Sequence, residues 1–270
     1  MKTKHQIVGM SAVCFAALSL FSSCTVSEPD FGGSSDKARL EAITSSSMTV
    51  IDIKYDAQNR PVLIQDRMND VKLTIEYNPL CIIEEDAGYH YDYNTDVTTI
   101  YTNCRLIMSN ISLNSNGYMT SCDTEETYYS FEGEVESYET GHVNLHYDVF
   151  NHLTEYIEDG EISIKFSWSN SGLLTDIVSD EGNVRLEYGL TPTVNNQWSP
   201  YWDNLGIYRL TGLFGIAPTM MVKEVIVDEG DYYENRRKFA YQITSGGWIK
   251  AMQVAENDYV ETFNFRYSSK

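Results

Sequence analysis

Along most of this chain, apolar and polar side chains take turns. From Glu161 the sequence places Ile162, Ile164, Phe166 and Trp168 on one parity and Ser163, Lys165, Ser167 and Ser169 on the other. Asn170-Ser171-Gly172 interrupts the run, Leu174 and Ile177 lie in the next, and Asp180-Glu181-Gly182-Asn183 precedes Val184, Leu186 and Tyr188. Successive side chains of a strand point to opposite faces, so a period of two bounded by Gly, Asn and Asp predicts half-buried antiparallel strands joined by hairpins. The same unit starts at Met48, with Ile53 and Tyr55, then Val62 and Ile64, then Val71, Leu73, Ile75 and Tyr77 opposite Lys72, Thr74 and Glu76. It continues through Tyr128, Tyr129, Phe131 and Val135, and through the hairpin from His142 to Glu158. It resumes from Val222 to Tyr267.

A spacing recurs within this pattern. An apolar or aromatic residue ends a strand, a small or polar residue follows, and Asn or Gly stands four positions after the first. The instances are Tyr55/Asn59, Leu113/Gly117, Tyr147/Asn151, Trp168/Gly172 and Ile243/Gly247. A short hairpin loop commonly needs one residue at positive φ, which Gly and Asn adopt at little cost. These are degenerate repeats of one hairpin.

The alternation lapses between Gly189 and Met221. Trp198, Tyr201, Trp202, Leu205, Ile207, Tyr208, Leu210, Leu213 and Phe214 fall at mixed three- and four-residue steps, punctuated by Gly206, Gly212, Gly215 and Pro218. This predicts a short helix or two within an apolar insertion near 198–218. Such a segment must be buried, either plugging the interior or roofing a pocket. Lys37 to Ile43 reads as a helical turn.

The fold class expected is all-β: an antiparallel up-and-down meander of hairpins curled into a barrel-like shape, with roughly a dozen or more strands. The clear runs span about six or seven residues, roughly 20–23 Å, short of the about nine to eleven that a tilted membrane strand needs. The charged parity is therefore assigned to solvent. Pro79 to Asn103 is acidic and aromatic, with Glu84, Glu85, Asp86, Tyr89, Tyr91, Asp92, Tyr93 and Asp96. Its spacing matches no EF-hand loop, and a longer strand pair with a solvated loop is the reading preferred.

Charge changes the picture of partners. Lys and Arg number 19 against 39 Asp and Glu, a net charge of -20. Nucleic acid is excluded as a partner, because binding it needs a basic footprint. The first residues change the picture of address. Lys2 and Lys4 precede an apolar run from Ile7 to Leu20, and Phe21-Ser22-Ser23-Cys24 closes it. That run reads as an export signal over residues 1–23. Small residues before a cysteine resemble the lipobox of bacterial lipoproteins, which implies a lipidated Cys24. Residues 24–47, rich in Ser and Gly, read as a flexible tether, and 48–270 as one barrel-like domain. Cleavage removes two lysines and no acid, so the mature charge is -22 (-20 - 2). Cys81, Cys104 and Cys122 then remain besides the anchor. An odd number leaves at least one thiol free, and Cys104 and Cys122 either pair across neighbouring strands or stay buried as small hydrophobes.

Candidate chemistry is sparse. Gly-x-Ser-x-Gly, His-Glu-x-x-His and a phosphate loop are missing from the sequence. His142 and His146 could approach Asp148 or Glu155, but strand-face histidines read more simply as structural. No catalytic residue, metal ligand or cofactor is assigned, and the chain is not read as an enzyme. Trp198, Tyr201 and Trp202 are candidates for binding a glycan or other small ligand by ring stacking, or they anchor the insertion. The expectation is a monomeric, non-catalytic binding or accessory module with a carbohydrate or protein partner. A structural role in outer-membrane assembly is the alternative, and a hydrolase the remoter one.

The chain resembles a family of Bacteroides-type outer-membrane lipoproteins carrying a domain of unknown function with a porin-like fold. Three features carry the resemblance over roughly residues 45–270 together with the tether. They are the tether after Cys24, the Tyr-Asp-x-x-Asn hairpins at Tyr55 to Asn59 and Tyr147 to Asn151, and the Gly-rich insertion Trp202 to Pro218, followed by a closing hairpin ending in Phe265-Arg266-Tyr267. The resemblance implies a fold and an outer-membrane or envelope address, periplasmic or surface-exposed. It implies no reaction.

Overall fold

A computed structural model of the chain describes residues 38–46, 48–93, 95–180, 182–193, 197–203, 205–228, 234–257 and 259–269. The expected export signal, Cys24 and the expected tether up to residue 37 lie outside the described residues. The strands are β1 (Ala38–Ser45), β2 (Met48–Tyr55), β3 (Pro61–Asp66), β4 (Val71–Tyr77), β5 (Leu80–Asp92), β6 (Val97–Leu113), β7 (Met119–Tyr129) and β8 (Val135–Tyr147). They continue as β9 (Leu153–Glu158), β10 (Glu161–Trp168), β11 (Leu174–Ser179), β12 (Gly182–Pro192), β13 (Met220–Val227), β14 (Asn235–Ile243), β15 (Ile249–Glu256) and β16 (Tyr259–Ser269). Each strand pairs with its neighbours in sequence, and β1 pairs with β16, so the meander closes into a sixteen-stranded antiparallel barrel. Two compact units share these strands. One holds the described residues up to Thr49 with Ser167–Gly206 and those from Ala217 onward; the other holds Val50–Phe166 and Ile207–Ile216.

Burial follows the alternation. Val184 and Leu186 are buried while Arg185 is exposed; Ile164 and Phe166 are buried while Lys165 is exposed. The recurring spacing is a five-residue turn with a fixed hydrogen-bond pattern. In the first, the Asp56 N–H donates to Arg60 O, the Asn59 N–H donates to Asp56 O, and the Asp56 carboxylate accepts from the N–H groups of Gln58 and Arg60. Asn59 takes φ +60°, as the positive-φ reading requires. Asn114, Asp148, Ser169 and Thr244 head the corresponding turns, and Gly117, Asn151, Gly172 and Gly247 hold the positive-φ position. A further copy, Ser130 to Glu134 with Gly133, was hidden in the sequence, because the flanking Tyr129, Phe131 and Val135 read as continuous strand.

Two expectations are corrected. Ala38–Ser45, assigned to the tether and in part to a helical turn, is β1, so the barrel starts at Ala38 instead of Met48. A register shift between Leu40 and Ala42 breaks the period of two there, leaving Ala42 and Ile43 both buried and hiding the strand in the sequence. Strand length was also underestimated: β6 has 17 residues, β5 and β8 have 13 each, and β7 has 11. Length alone therefore does not keep these strands out of a bilayer. The short helical segment expected in the insertion is, among the described residues, the 3₁₀ helix Gly206–Thr211.

Candidate functional site

The three aromatic candidates brace the insertion. Trp202 is fully buried, and its Nε1–H donates to the Tyr241 hydroxyl at 2.9 Å. Trp198 is also buried, with ring centroids 6.1 Å from Trp202. Tyr201 is half-buried, and its ring lies 4.6 Å from Phe263. Gln197 adds a hydrogen bond to the Tyr267 hydroxyl and accepts one from the Ile249 N–H at 3.3 Å. Neither indole presents a face to solvent, so stacking on a sugar would require the segment to unpack.

In the other unit, the Met119 N–H donates to Leu213 O at 2.9 Å, and Tyr208 hydrogen-bonds Glu84. Arg209 is buried; its guanidinium donates to Phe214 O and lies 5.4 Å from the Phe166 ring centroid. Sequence reasoning missed this arginine. A single cation in an apolar run gives no sign that its partners are a backbone carbonyl nearby and a ring far away in the chain.

Three histidines lie against carboxylates. His146 Nδ1 lies 2.9 Å from Glu155, as anticipated; His142 meets Asp123 at 2.7 Å instead of Asp148, which belongs to His152 at 2.7 Å. His142 and His146 sit on the solvent face of β8. Each of these carboxylates is placed to orient its imidazole ring. Among the described residues no group of His, Cys, Asp and Glu is arranged to hold a metal ion. Cys81, Cys104 and Cys122 are free thiols. Cys104 and Cys122 are on adjacent strands, but Cys104 stands opposite Tyr128, six residues along β7 from Cys122. That is about 20 Å of strand, well beyond disulfide reach.

A surface that can meet a partner lies where β5 to β8 outrun their neighbours. β4 accompanies β5 only as far as Asp86, opposite Val71, and β7 accompanies β6 only from Cys104, opposite Tyr128. Ala87 to Thr102 is therefore a ribbon two strands wide, with Tyr89 opposite Ile100 and Tyr91 opposite Thr98. Tyr89, Tyr91, Val97 and Ile100 are exposed on it, and Tyr93 at its tip is 89% exposed. Gly88 permits this ribbon: a Cβ there would sit 2.6 Å from the Tyr101 ring, which lies across the glycine from the facing strand. His90 stacks on Phe131 of the β7–β8 turn, with centroids 3.8 Å apart and planes 5° off parallel, tying the ribbon to that turn. Acids accompany the rings. Asp92 and Asp96 flank the tip, and Glu132, Glu134, Glu136 and Glu139 follow on the β7–β8 hairpin. Between Ala87 and Asn103, and between Ser130 and Thr140, the sequence holds no Lys or Arg. Rings with an unopposed negative field suit cationic groups, which are drawn to both.

No family model matches the chain, and no curated protein does. Solved structures do. A porin-like protein from Bacteroides uniformis is 16% identical with a TM-score of 0.52, over 86% of this chain and 96% of that one. A porin-like protein from Bacteroides vulgatus is 11% identical with a TM-score of 0.39, over 85% and 98%. The first likeness concerns the fold.

Proposed function

We propose that the protein is a non-catalytic binding module of the cell envelope, anchored to the outer membrane through a lipid on Cys24 and not inserted in it. The observation that carries this reading is polarity. A membrane-spanning barrel turns its apolar parity outward. Here the apolar parity is buried, and the exposed parity carries Lys54, Lys165, Arg185, Lys223 and Lys238. A Lys or Arg facing lipid at the bilayer midplane costs about 2–4 kcal/mol each, so these residues favour water for the strands that carry them. The side chains of the insertion are packed on the buried parity within each unit. The β5–β8 extension, rather than Trp198, Tyr201 and Trp202, is the face offered to a partner.

Planar-bilayer recording on the purified chain tests the polarity argument, with no unitary conductance expected; stable single-channel steps would sink it. Radiolabelled palmitate should mark the wild-type chain in cells, and Cys24→Ala should lose the label and leave the membrane fraction.

A further inference from the structure

We propose that the edge of β6 from Val97 to Thr102 is a strand-addition site for an extended, cationic segment of a partner protein. This rests on the binding-module reading above and names the partner's chemistry. Beyond Cys104 no described strand pairs with β6 on its β7 side, so alternate residues there point their backbone N–H and C=O groups away from the sheet. Folded proteins usually blunt such an edge with Lys, Pro, a bulge or an inward charge. Between Val97 and Thr102 this edge has neither Lys nor Pro, and the register shift of the ribbon lies at its base, beside Asn103. Val97-Thr98-Thr99-Ile100-Tyr101-Thr102 is uncharged, without Pro or Gly, and made of the residue types that best suit a pleated strand. A two-stranded ribbon is marginal by itself in water, and a third strand stabilises it. Backbone pairing then supplies affinity, and alternate side chains supply selectivity.

Charge selects the occupant. An added strand takes the line that β7 leaves at Tyr129. It has Asp92 and Asp96 of the ribbon tip near one end, and Glu132 and Glu134 of the turn after β7 near the other. A second copy of this chain, itself at -20, would bring its own Asp96 against these acids. A segment with Lys or Arg among β-branched residues meets attraction at both ends and exposed tyrosine rings alongside.

The probe is a labelled peptide alternating Lys with Val and Thr, titrated by fluorescence anisotropy against the full mature chain. Saturable binding that weakens at least about tenfold from low to high salt is expected. A peptide with Glu in place of Lys, and one with alternate backbone amides N-methylated, should bind at least about tenfold more weakly. Glu132→Lys/Glu134→Lys, on an exposed turn, should weaken the parent peptide without changing the melting temperature. Equal binding of the N-methylated peptide overturns strand addition, since side-chain charge alone would then suffice. No binding at low salt also overturns it, as does a concentration-dependent dimer, seen by sedimentation, that Thr99→Lys abolishes. A conducting channel would defeat the proposed function; a non-conducting chain that ignores the peptide defeats only this inference.

Discussion

The hydroxyl of Tyr147, the last residue of β8, donates to the backbone oxygen of Met119, the first residue of β7, at 2.8 Å. The same clasp joins Tyr77 to Pro61 at 2.9 Å, Tyr188 to Leu174 at 2.7 Å, Tyr241 to Val222 at 2.6 Å and Tyr267 to Ile249 at 2.9 Å. Each runs from an even-numbered strand to the early part of the strand before it. Burial pushes the Tyr147, Tyr188 and Tyr241 hydroxyls well above their ordinary pKa, so they remain donors at any physiological pH. Tyr147→Phe should cost about 1 kcal/mol, a fall of about 2–4 °C in a thermal melt, with the strand pairing intact.

Gly215 and Gly160 both have positive φ, at +84° and +87°, but differ in space. A Cβ at Gly215 would sit 2.8 Å from Asn151 O, whereas nothing lies within 4 Å at Gly160. Gly160→Ala should cost about 1 kcal/mol for the backbone conformation alone. Gly215→Ala should cost at least about 2 kcal/mol, because the backbone of the Asp148 to His152 turn must also move. Denaturant titration of the two variants side by side checks the difference.

Trp202→Ala removes a fully buried indole and strands the Tyr241 hydroxyl from its donor. A loss of about 3–5 kcal/mol in chemical denaturation is expected. Trp202→Phe keeps most of the volume and should recover more than half of it. Recovery below that would mean that the hydrogen bond outweighs the packing.

The Asp148 carboxyl is partly buried, which raises its pKa. That effect is outweighed by the His152 ring and by the N–H groups of His152 and Phe150, which hold it below its ordinary 3.8. An acid depressed in the folded state stabilises it above the ordinary pKa. The contribution is lost as pH falls through the folded value. The melting temperature of wild type should therefore exceed that of Asp148→Ala at pH 7, and the gap should close on acidification below 3.8. A gap that persists at pH 2 would mean that the ion is not what Asp148 supplies.

Burial pushes the Cys122 thiol up to about 12 and Cys104 further still, the latter helped by its hydrogen bond to Glu126. Cys81 is only partly buried. Iodoacetamide at pH 8 should label Cys81 first and leave Cys104 and Cys122 unmodified until the chain unfolds, as read by peptide mass spectrometry.

Much of the barrel was legible residue by residue. The turn code named Asn59, Gly117, Asn151, Gly172 and Gly247 as positive-φ positions, and all five are. Parity assigned Ile164 and Phe166 inward and Lys165 outward correctly. It placed Ile162 with them, yet Ile162 is exposed, because a register shift between Ile162 and Ile164 breaks the period. β1 escaped notice for the same reason. The candidate surface was glimpsed only as an acidic, aromatic stretch after Pro79. That its two strands outrun β4 and β7 depends on where other strands end, which no local pattern records.

Local chemistry settled which residues lie in strands and which turns join them, since a period of two and a positive-φ residue act within a few positions along the chain. Long-range pairing settled the rest: β1 closing on β16, the insertion finding Tyr241 and Phe166, and six residues of β6 left with an open edge. Those outcomes depend on which distant segments meet and where each stops. A pairwise fit of that kind belongs to both partners at once, and neither one's own sequence contains it.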